Sequence, residues 1–120
     1  MAEPNSESNQ QSSDFYCDFV LSGSITVNKV METDNVLAYH HTKPSWTTHI
    51  VIVPKHHISK LTDLADMSLV QEVFQVARVI IKKNGLDGSN FKIITNGGRF
   101  QDSRHLHFHL LSGEKTAVKN

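Results

Sequence analysis

Short apolar runs separated by turn residues fill the first half of the chain after residue 24. Such runs predict strands over 25–30, 36–40 and 49–53, and the third run is rich in β-branched residues. The pair Asp34-Asn35 marks a turn between the first two runs. The third run is apolar at nearly every position, which is typical of a central strand that is covered on both faces.

The next stretch follows helical spacing instead. Apolar residues recur three or four positions apart over residues 68–84, which predicts one amphipathic helix. Ser68 and Gln71 fit a capping-box pattern at its start, and Gly85 suits the position just past its end. The face that this helix should bury consists of Val70, Val73, Phe74, Ala77, Ile80 and Ile81.

Two further strands are predicted beyond the helix, over 91–95 and 105–111, with a polar loop between them. The last one reads His-Leu-His-Phe-His-Leu-Leu, so its histidines and its apolar residues should occupy opposite faces. The histidines are His105, His107 and His109. The predicted fold is α+β, with an antiparallel sheet of about five strands and one long helix packed on it.

The two ends of the chain lack such patterning. Residues 1–13 are nearly all polar, and a disordered N-terminal tail is expected there. Residues 114–120 are expected to form a mobile C-terminal tail. The folded domain should span residues 14–113, because a chain of 120 residues supports one domain with one core.

Composition narrows the functional class. The chain carries 12 basic and 12 acidic residues, and this balance argues against a nucleic-acid-binding scaffold with a basic stripe. No apolar run is long enough to span a membrane, and no secretory signal is visible. Cys17 is the single cysteine, so there is no internal disulfide. These features predict a cytoplasmic protein without nucleic-acid or membrane partners.

The histidines suggest a covalent mechanism at phosphorus. His107, on an exposed strand face, could attack phosphorus and form an N–P bond, which divides one hard displacement into two easier ones. Its attacking nitrogen must be neutral, with the other ring nitrogen oriented by an acceptor such as a backbone carbonyl. His109 could stabilise charge on phosphate oxygens or pass a proton to the leaving group. The loop 96–103 supplies donors of the kind that a phosphate requires.

The seven residues 105–111 resemble the histidine-triad (HIT) signature, in which three histidines alternate with apolar residues. The segments 36–40 and 48–59 are similar to the family's second and third strands and their exit turn, and Asn96-Gly97-Gly98 follows in order. The resemblance covers roughly residues 15–113. It implies a HIT-like fold, and the Hint-like adenosine phosphoramidase branch is nearest in size and layout.

This resemblance implies a nucleotide-binding hydrolase or transferase that acts on the α-phosphate of nucleotide conjugates and needs no cofactor. The expected ligand is a purine nucleotide or its conjugate, such as a nucleoside phosphoramidate or a dinucleoside polyphosphate. His107 matches the family's nucleophile, and His109 matches the partner that contacts the phosphate and aids the leaving group. His105 matches a buried orienting histidine, and His49 matches a supporting histidine on the neighbouring strand.

The resemblance also implies binding residues and an assembly. Asn96 and Gln101 match positions that contact the phosphate or the leaving group. The apolar slot that the family builds for the base would consist of Tyr16, Phe19 and Tyr39. A homodimer is expected as well, because family members usually pair across a two-fold axis that extends the sheet.

The chain departs from the family pattern in three places. His41 stands where the phosphoramidase branch has an aspartate for the ribose hydroxyls, and a neutral imidazole offers one acceptor where a carboxylate accepts two bonds. The usual serine before the histidine segment is matched by Asp102, with Ser103 next, so either side chain could face the phosphate. Asp14 and Cys17 occupy the Cys-x-x-Cys positions that help to bind zinc in many bacterial members, so no structural zinc is expected.

Two other functions remain open from these residues. A His-x-His segment with a third imidazole is a workable zinc constellation, which would make the protein a zinc hydrolase. The replacement at His41 is also compatible with a catalytically weak nucleotide-binding or interaction module on the same scaffold.

Overall fold

A computed structural model describes residues 15–116 as a five-stranded antiparallel sheet with one long helix on one face. The elements are β1 (Lys29–Glu32), β2 (Val36–His40), β3 (Trp46–Pro54), α1 (Ser68–Lys83), β4 (Phe91–Thr95) and β5 (Phe108–Lys115). The strand order across the sheet is β1-β2-β3-β5-β4. The predicted fold class is confirmed. The predicted tail over residues 1–13 and residues 117–120 of the predicted C-terminal tail lie outside the described residues. Glu114 and Lys115, which were predicted to lie in that C-terminal tail, instead belong to β5, where Lys115 pairs with Trp46.

The sheet is covered on both faces where its strands are longest. One core cluster lies between the sheet and α1, and its buried members include Val36, Ala38, Ile50, Ile52, Val73, Val76, Ala77, Ile80, Leu106, Phe108 and Leu110. A second cluster lies on the opposite face and consists of Tyr16, Val20, Leu37, Tyr39, Val51 and Val53. A single π-helical turn at Tyr16–Val20, called the π-turn below, covers this second cluster. The continuous apolar run of β3 therefore has the doubly covered environment that its pattern predicted.

The first strand lies later in the chain than the sequence pattern predicted. β1 begins at Lys29, not at residue 25, because its pairing with β2 begins where Lys29 meets Tyr39. The apolar residues that precede β1 are not paired in the sheet. Val27 packs against the second core cluster instead of joining the ladder.

The histidine segment also differs from a continuous strand. β5 begins only at Phe108, whose partner in β3 is Ile52. β3 ends at Pro54, which lacks a backbone N–H, and the Leu106 N–H donates to the Ile58 carbonyl outside the ladder. Side chains in this segment still alternate between the two faces of the sheet, because Leu106, Phe108 and Leu110 all belong to the core cluster beneath α1.

α1 begins at Ser68, as predicted, but the capping box is wrong. No side chain of the predicted box caps the helix; instead the Ser68 N–H donates to Oδ1 of Asp66 at 3.0 Å. The predicted glycine at the other end is confirmed, since Gly85 follows the last turn with a φ of +67°. Within residues 15–116 no helix is long and apolar enough to cross a membrane.

Gly113 provides a test of this packing. A Cβ atom at this position would lie 2.6 Å from Cβ of Thr47, and the backbone φ is +82°. Thr47 cannot easily move away, because its Oγ1 bonds both the carbonyl and the N–H of Glu114. We expect Gly113→Ala to lower the free energy of unfolding by about 2–4 kcal/mol in urea denaturation.

Gly88→Ala is the matched control, because no atom lies within 4 Å of a Cβ built there and its φ is not positive. Its free energy of unfolding should stay within about 1 kcal/mol of the wild type. Equal losses in the two variants would contradict the proposed close approach of β3 and β5.

Candidate active site

Five imidazoles gather on the sheet face that is opposite α1, next to the π-turn. His49 comes from β3 and His109 from β5, and these adjacent strands hold the two rings at a centroid separation of 5.0 Å. The His107 ring lies 5.0 Å from the His109 ring in a T-shaped arrangement. His41 lies just beyond the end of β2, and His105 precedes β5. The structure thus brings together all four predicted catalytic histidines.

His107 is oriented by a backbone carbonyl. Its Nδ1 lies 2.8 Å from the carbonyl oxygen of His105. A carbonyl can only accept, so Nδ1 carries the proton, and Nε2 of the neutral ring carries the lone pair. The carbonyl of His107 itself accepts a bond from Oγ1 of Thr95 at 2.7 Å. These contacts fix both the tautomer and the backbone of the residue.

His105 is fully buried and is held through both of its ring nitrogens. Its Nε2 donates to the Pro54 carbonyl at 2.7 Å. Nδ1 is then the acceptor, and Sγ of Cys17 lies 3.4 Å from it. The carbonyl that orients His107 therefore belongs to a residue that is itself rigidly placed, which fits the orienting role expected of His105.

His49 and His109 form a directed chain of hydrogen bonds. The Ser45 N–H donates to Nδ1 of His49 at 3.0 Å, so the proton of the neutral His49 ring lies on Nε2. That Nε2 lies 2.8 Å from Nδ1 of His109 and donates to it. The proton of His109 is consequently on its Nε2, on the side of the ring that points away from His49.

Burial keeps both rings of this chain neutral near pH 7. Burial, followed by the neighbouring imidazole of His41, lowers the pKa of His49 to about 4. Burial, followed by repulsion from His107, His49 and His41, lowers the pKa of His109 to about 3. A positive charge on any one ring would repel a charge on the next.

His41 lies directly against this chain. Its ring stacks on the His49 ring at a centroid distance of 4.3 Å and lies 6.1 Å from the His109 ring. The Lys43 N–H donates to its Nδ1 at 2.9 Å, which leaves the proton on Nε2. Burial and then His107 lower the pKa of His41, and the charge of Asp102 acts in the opposite direction.

The predicted phosphate-binding residues separate into two groups. Asn96 directly follows β4, where the pairing of Thr95 with Phe108 brings it opposite His107. Gln101 uses its amide N–H groups on the backbone carbonyls of Ser59 and Ser103. Its side-chain amide therefore stabilises the loop, and only its oxygen is left for a ligand.

Asp102 and Ser103 have different surroundings. Ser103 is buried, and its hydroxyl oxygen accepts the Phe15 N–H at 3.2 Å, so this side chain holds the start of the π-turn. Asp102 is exposed, and its charge reaches His41. Both residues border a cleft of about 420 Å³ that is lined by Ser59, Lys60, Gly98, Gln101, Asp102, Ser103 and Arg104.

The three aromatic residues predicted to form a base slot are not equally accessible. Tyr16 and Tyr39 are buried in the second core cluster, and the Tyr16 ring lies 4.7 Å from the His107 ring. Phe19 is 45% exposed on the outer side of the π-turn. Tyr16 therefore covers the nucleophile candidate, whereas Phe19 is the member of the set that a ligand can reach directly.

A possible metal site lies beside the predicted nucleophile. Within residues 15–116, the group of His, Cys, Asp and Glu side chains that could hold a metal is Cys17, His57 and His105, whose ligand atoms lie within 4.8 Å of one another. Thiolate and imidazole donors suit zinc, although a structural zinc site has four ligands. Asp14, considered above for such a site, lies outside the described residues. The His-x-His constellation considered above for a zinc hydrolase does not form this group.

Sequence reasoning missed the backbone groups that orient the rings. The N–H groups of Lys43 and Ser45 and the carbonyl of Pro54 each fix one imidazole. Backbone donors and acceptors have no residue-type signal, so these contacts could not be found in the sequence. Cys17, the thiol next to His105, could have been found from its place in the Cys-x-x-Cys pattern.

The chain belongs to the HIT domain family, whose model matches residues 22–116. This match confirms the resemblance that residues 105–111 indicated.

Solved structures share this fold closely. A histidine triad protein from Clostridium difficile superposes with a TM-score of 0.78 at 35% identity, over 89% of this chain and 96% of that one. A HIT family hydrolase from Legionella pneumophila superposes with a TM-score of 0.78 at 28% identity, over 88% of this chain and 96% of that one. A further relative is similar in sequence. The adenosine 5′-monophosphoramidase of Candida albicans is 29% identical over 107 residues, which cover 82% of this chain and 70% of that protein.

The buried neutral imidazoles predict a particular dependence of stability on pH. The pKa values of His49 and His109 lie below the unfolded value of 6.5, so the unfolded chain binds protons first as the pH falls. The contribution of the two neutral rings to the free energy of unfolding is present in full above pH 6.5. It is lost as the pH falls towards about 4 for His49 and about 3 for His109. We expect each group to lower the free energy of unfolding by up to about 1.4 kcal/mol per pH unit.

Urea denaturation at several values between pH 6.5 and 5.5 measures this slope above the range in which carboxylates bind protons, since an ordinary glutamate has a pKa of 4.5. His109→Asn should flatten the slope. His40→Asn should not change it, because His40 is exposed and lies outside the imidazole cluster. An unchanged slope in His109→Asn would contradict the neutral state of the buried ring.

Proposed function

We propose that this protein is a nucleotide-binding hydrolase or transferase that acts on the α-phosphate of nucleotide conjugates through a nucleotidyl-histidine intermediate on His107. One observation carries the proposal: the neighbouring rings of His107 and His109 have opposite proton positions. Nε2 of His107 has a lone pair that can attack phosphorus, and Nε2 of His109 has a proton that can be donated. A nucleophile and a hydrogen-bond donor on two rings whose centroids lie 5.0 Å apart suit a displacement at phosphate.

In the first step, Nε2 of His107 attacks the α-phosphorus and an N–P bond forms. The bond from phosphorus to the leaving group breaks, and its electron pair goes to the leaving atom. The carbonyl of His105 accepts a stronger hydrogen bond from Nδ1 as His107 acquires positive charge. This carbonyl is fixed in place by the burial of its residue, so it needs little reorganisation during the step.

His109 acts on the phosphate and the leaving group. Its Nε2–H stabilises the charge that develops on the phosphate oxygens, and an anionic phosphate at this position favours its protonated form. Its proton can then pass to a leaving group such as an amine. In the second step a water molecule attacks phosphorus, and the N–P bond breaks with its electron pair returning to Nε2 of His107. Nε2 of His109 takes the proton that the water releases, which restores the starting state.

The remaining polar positions support recognition of the nucleotide. Asn96 lies opposite His107 at the end of β4, and its amide can donate to a phosphate oxygen. Asp102 is exposed near His41, and Phe19 offers an accessible ring for a base. The purine preference and the phosphoramidate substrate class are supported by the relative from Candida albicans that is named as an adenosine 5′-monophosphoramidase.

Turnover of adenosine 5′-phosphoramidate and of a dinucleoside polyphosphate tests the proposal. Wild-type protein should hydrolyse at least one of them, and His107→Ala should show no turnover. Intact-mass spectrometry of rapidly quenched wild-type protein should show the added mass of one nucleoside monophosphate, mapped by proteolysis to His107. His40→Ala serves as the control, because this exposed histidine should leave the rate unchanged.

Binding of the nucleotides without any turnover would reject the enzyme assignment and favour the binding-module alternative. Undiminished turnover by His107→Ala would reject the covalent mechanism. Loss of turnover on treatment with a chelator, with one zinc bound per chain, would favour a zinc hydrolase instead.

A homodimer is part of the same proposal. β4 forms one edge of the sheet, and Phe91 at its start is 43% exposed. An exposed strand edge with an adjacent aromatic side chain supports pairing with a second copy. Light scattering should give twice the chain mass of 13.5 kDa, and Phe91→Lys should shift the equilibrium towards the monomer. A monomeric wild-type protein at high concentration would contradict the homodimer.

A further inference from the structure

His41 is the member of the imidazole cluster that the proposed reaction does not use. Its ring stacks on His49 with an angle of 28° between the planes and a centroid distance of 4.3 Å. His49 in turn contacts His109 through a hydrogen bond of 2.8 Å. The order of contact is therefore His41, His49, His109, and then His107. His41 touches the chain of hydrogen bonds at the end that is farthest from the proposed nucleophile.

The loop between β2 and β3 holds both stacked rings in the same way. The Lys43 N–H donates to Nδ1 of His41, and the Ser45 N–H donates to Nδ1 of His49, at 2.9 and 3.0 Å. Pro44 separates these two donors and contributes no N–H of its own. Two stacked rings thus receive backbone donors from alternate residues of one short loop, and both have their proton on Nε2.

The backbone hydrogen bond of His41 adds a second connection between the rings. The His41 N–H donates to the carbonyl of His49 at 2.8 Å, so the two residues are joined by the backbone as well as by the stacked rings. A ring that is fixed on one face by this stack cannot rotate about its χ2 angle without losing the contact. The plane of His49 determines in turn where its Nε2–H points.

We propose that His41 is a positioning residue, which acts through the stack on His49 to keep the proton of His109 on Nε2. The proposal deepens the proposed function, because it concerns the same site, and it rests on that function only for its kinetic test. It differs from the expectation that His41 contacts the nucleotide directly. In the positioning role, His41 controls the direction of the hydrogen-bond chain and its resistance to protonation.

The charges around His41 are consistent with this role. The charge of His107 lowers the pKa of His41, and the charge of Asp102 raises it. The charge of His41 in turn lowers the pKa values of His49 and His109. A neutral aromatic ring at position 41 disfavours an imidazolium at His49 by excluding water from one face of that ring. A carboxylate at the same position would have the opposite effect, because it would attract a proton to His49 and on towards His109.

Three substitutions separate stacking from charge and from ligand contact. His41→Phe keeps an aromatic face on His49 but has no nitrogen. His41→Ala removes the stack, and His41→Asp replaces it with a negative charge. His40→Ala is the matched control, because this adjacent residue is exposed and lies outside the cluster.

Long-range ¹H–¹⁵N NMR reports the tautomer and pKa of each histidine without any substrate. His41→Phe should keep the wild-type tautomers of His49 and His109. His41→Asp should raise the pKa of both residues by about one unit or more. His41→Ala should populate the other tautomer of His49, and in all cases His40→Ala should match the wild type.

Kinetics with adenosine 5′-phosphoramidate provides the second measurement. His41→Ala should lower kcat about 10- to 100-fold with little change in KM, and His41→Phe should restore most of the rate. The acid limb of the kcat profile should move to higher pH in His41→Asp. If His41→Ala and His41→Asp raise KM alone and leave the tautomers and pKa values of His49 and His109 unchanged, the positioning role is wrong and His41 contacts the ligand.

The two proposals fail in different ways. If wild-type protein hydrolyses neither test substrate, the proposed function fails, and the NMR measurement still decides whether His41 controls the proton of His109. If turnover is normal but His41→Ala keeps the wild-type tautomers, the further inference alone is overturned. If His41→Ala does not fold, the comparison of His41→Phe with His41→Asp decides the same question.

Discussion

The site depends on backbone groups that determine where the protons of buried imidazoles lie. A neutral imidazole with one nitrogen engaged presents either a donor or an acceptor at its other nitrogen, and the partner of the engaged nitrogen decides which. The His105 carbonyl gives His107 a lone pair on Nε2, and the Ser45 N–H, through His49, gives His109 a proton there. Two chemically identical side chains thus acquire complementary roles from their hydrogen-bond partners.

Much of the fold followed from the sequence because burial imposes a period on the side chains. The alternation in residues 105–111 correctly separated the histidine face from the core face, and the run over 49–53 correctly indicated a doubly covered strand. The strand limits were less predictable. β5 begins at Phe108 because its partner strand ends at Pro54, and this limit depends on a distant residue. The helix start was right, but its cap comes from Asp66, since the local geometry decides which nearby oxygen accepts.

The candidate site was predictable in its histidines and less so in its surroundings. The resemblance to the HIT signature identified His49, and it does contact His109. Residue type could not indicate that the Gln101 amide would be used by two backbone carbonyls, or that Ser103 would hold the π-turn. The contacts of a polar side chain depend on which backbone groups remain unsatisfied nearby, and these are determined only when the loops have folded.

Access to the site follows from the unequal burial of its rings. His107 is only 5% exposed and lies beneath Tyr16, whereas His109 and His41 are partly open to solvent. In the proposed reaction a phosphate would therefore meet His109 before His107, and the Nε2–H of a neutral ring would be the first group to stabilise its charge. Because His49 and His109 are uncharged near pH 7, the proposed site would hold an anion at His109 by a hydrogen bond rather than by a permanent ion pair. The proposed attack requires His107 to be neutral at that moment, since a protonated ring could not attack phosphorus.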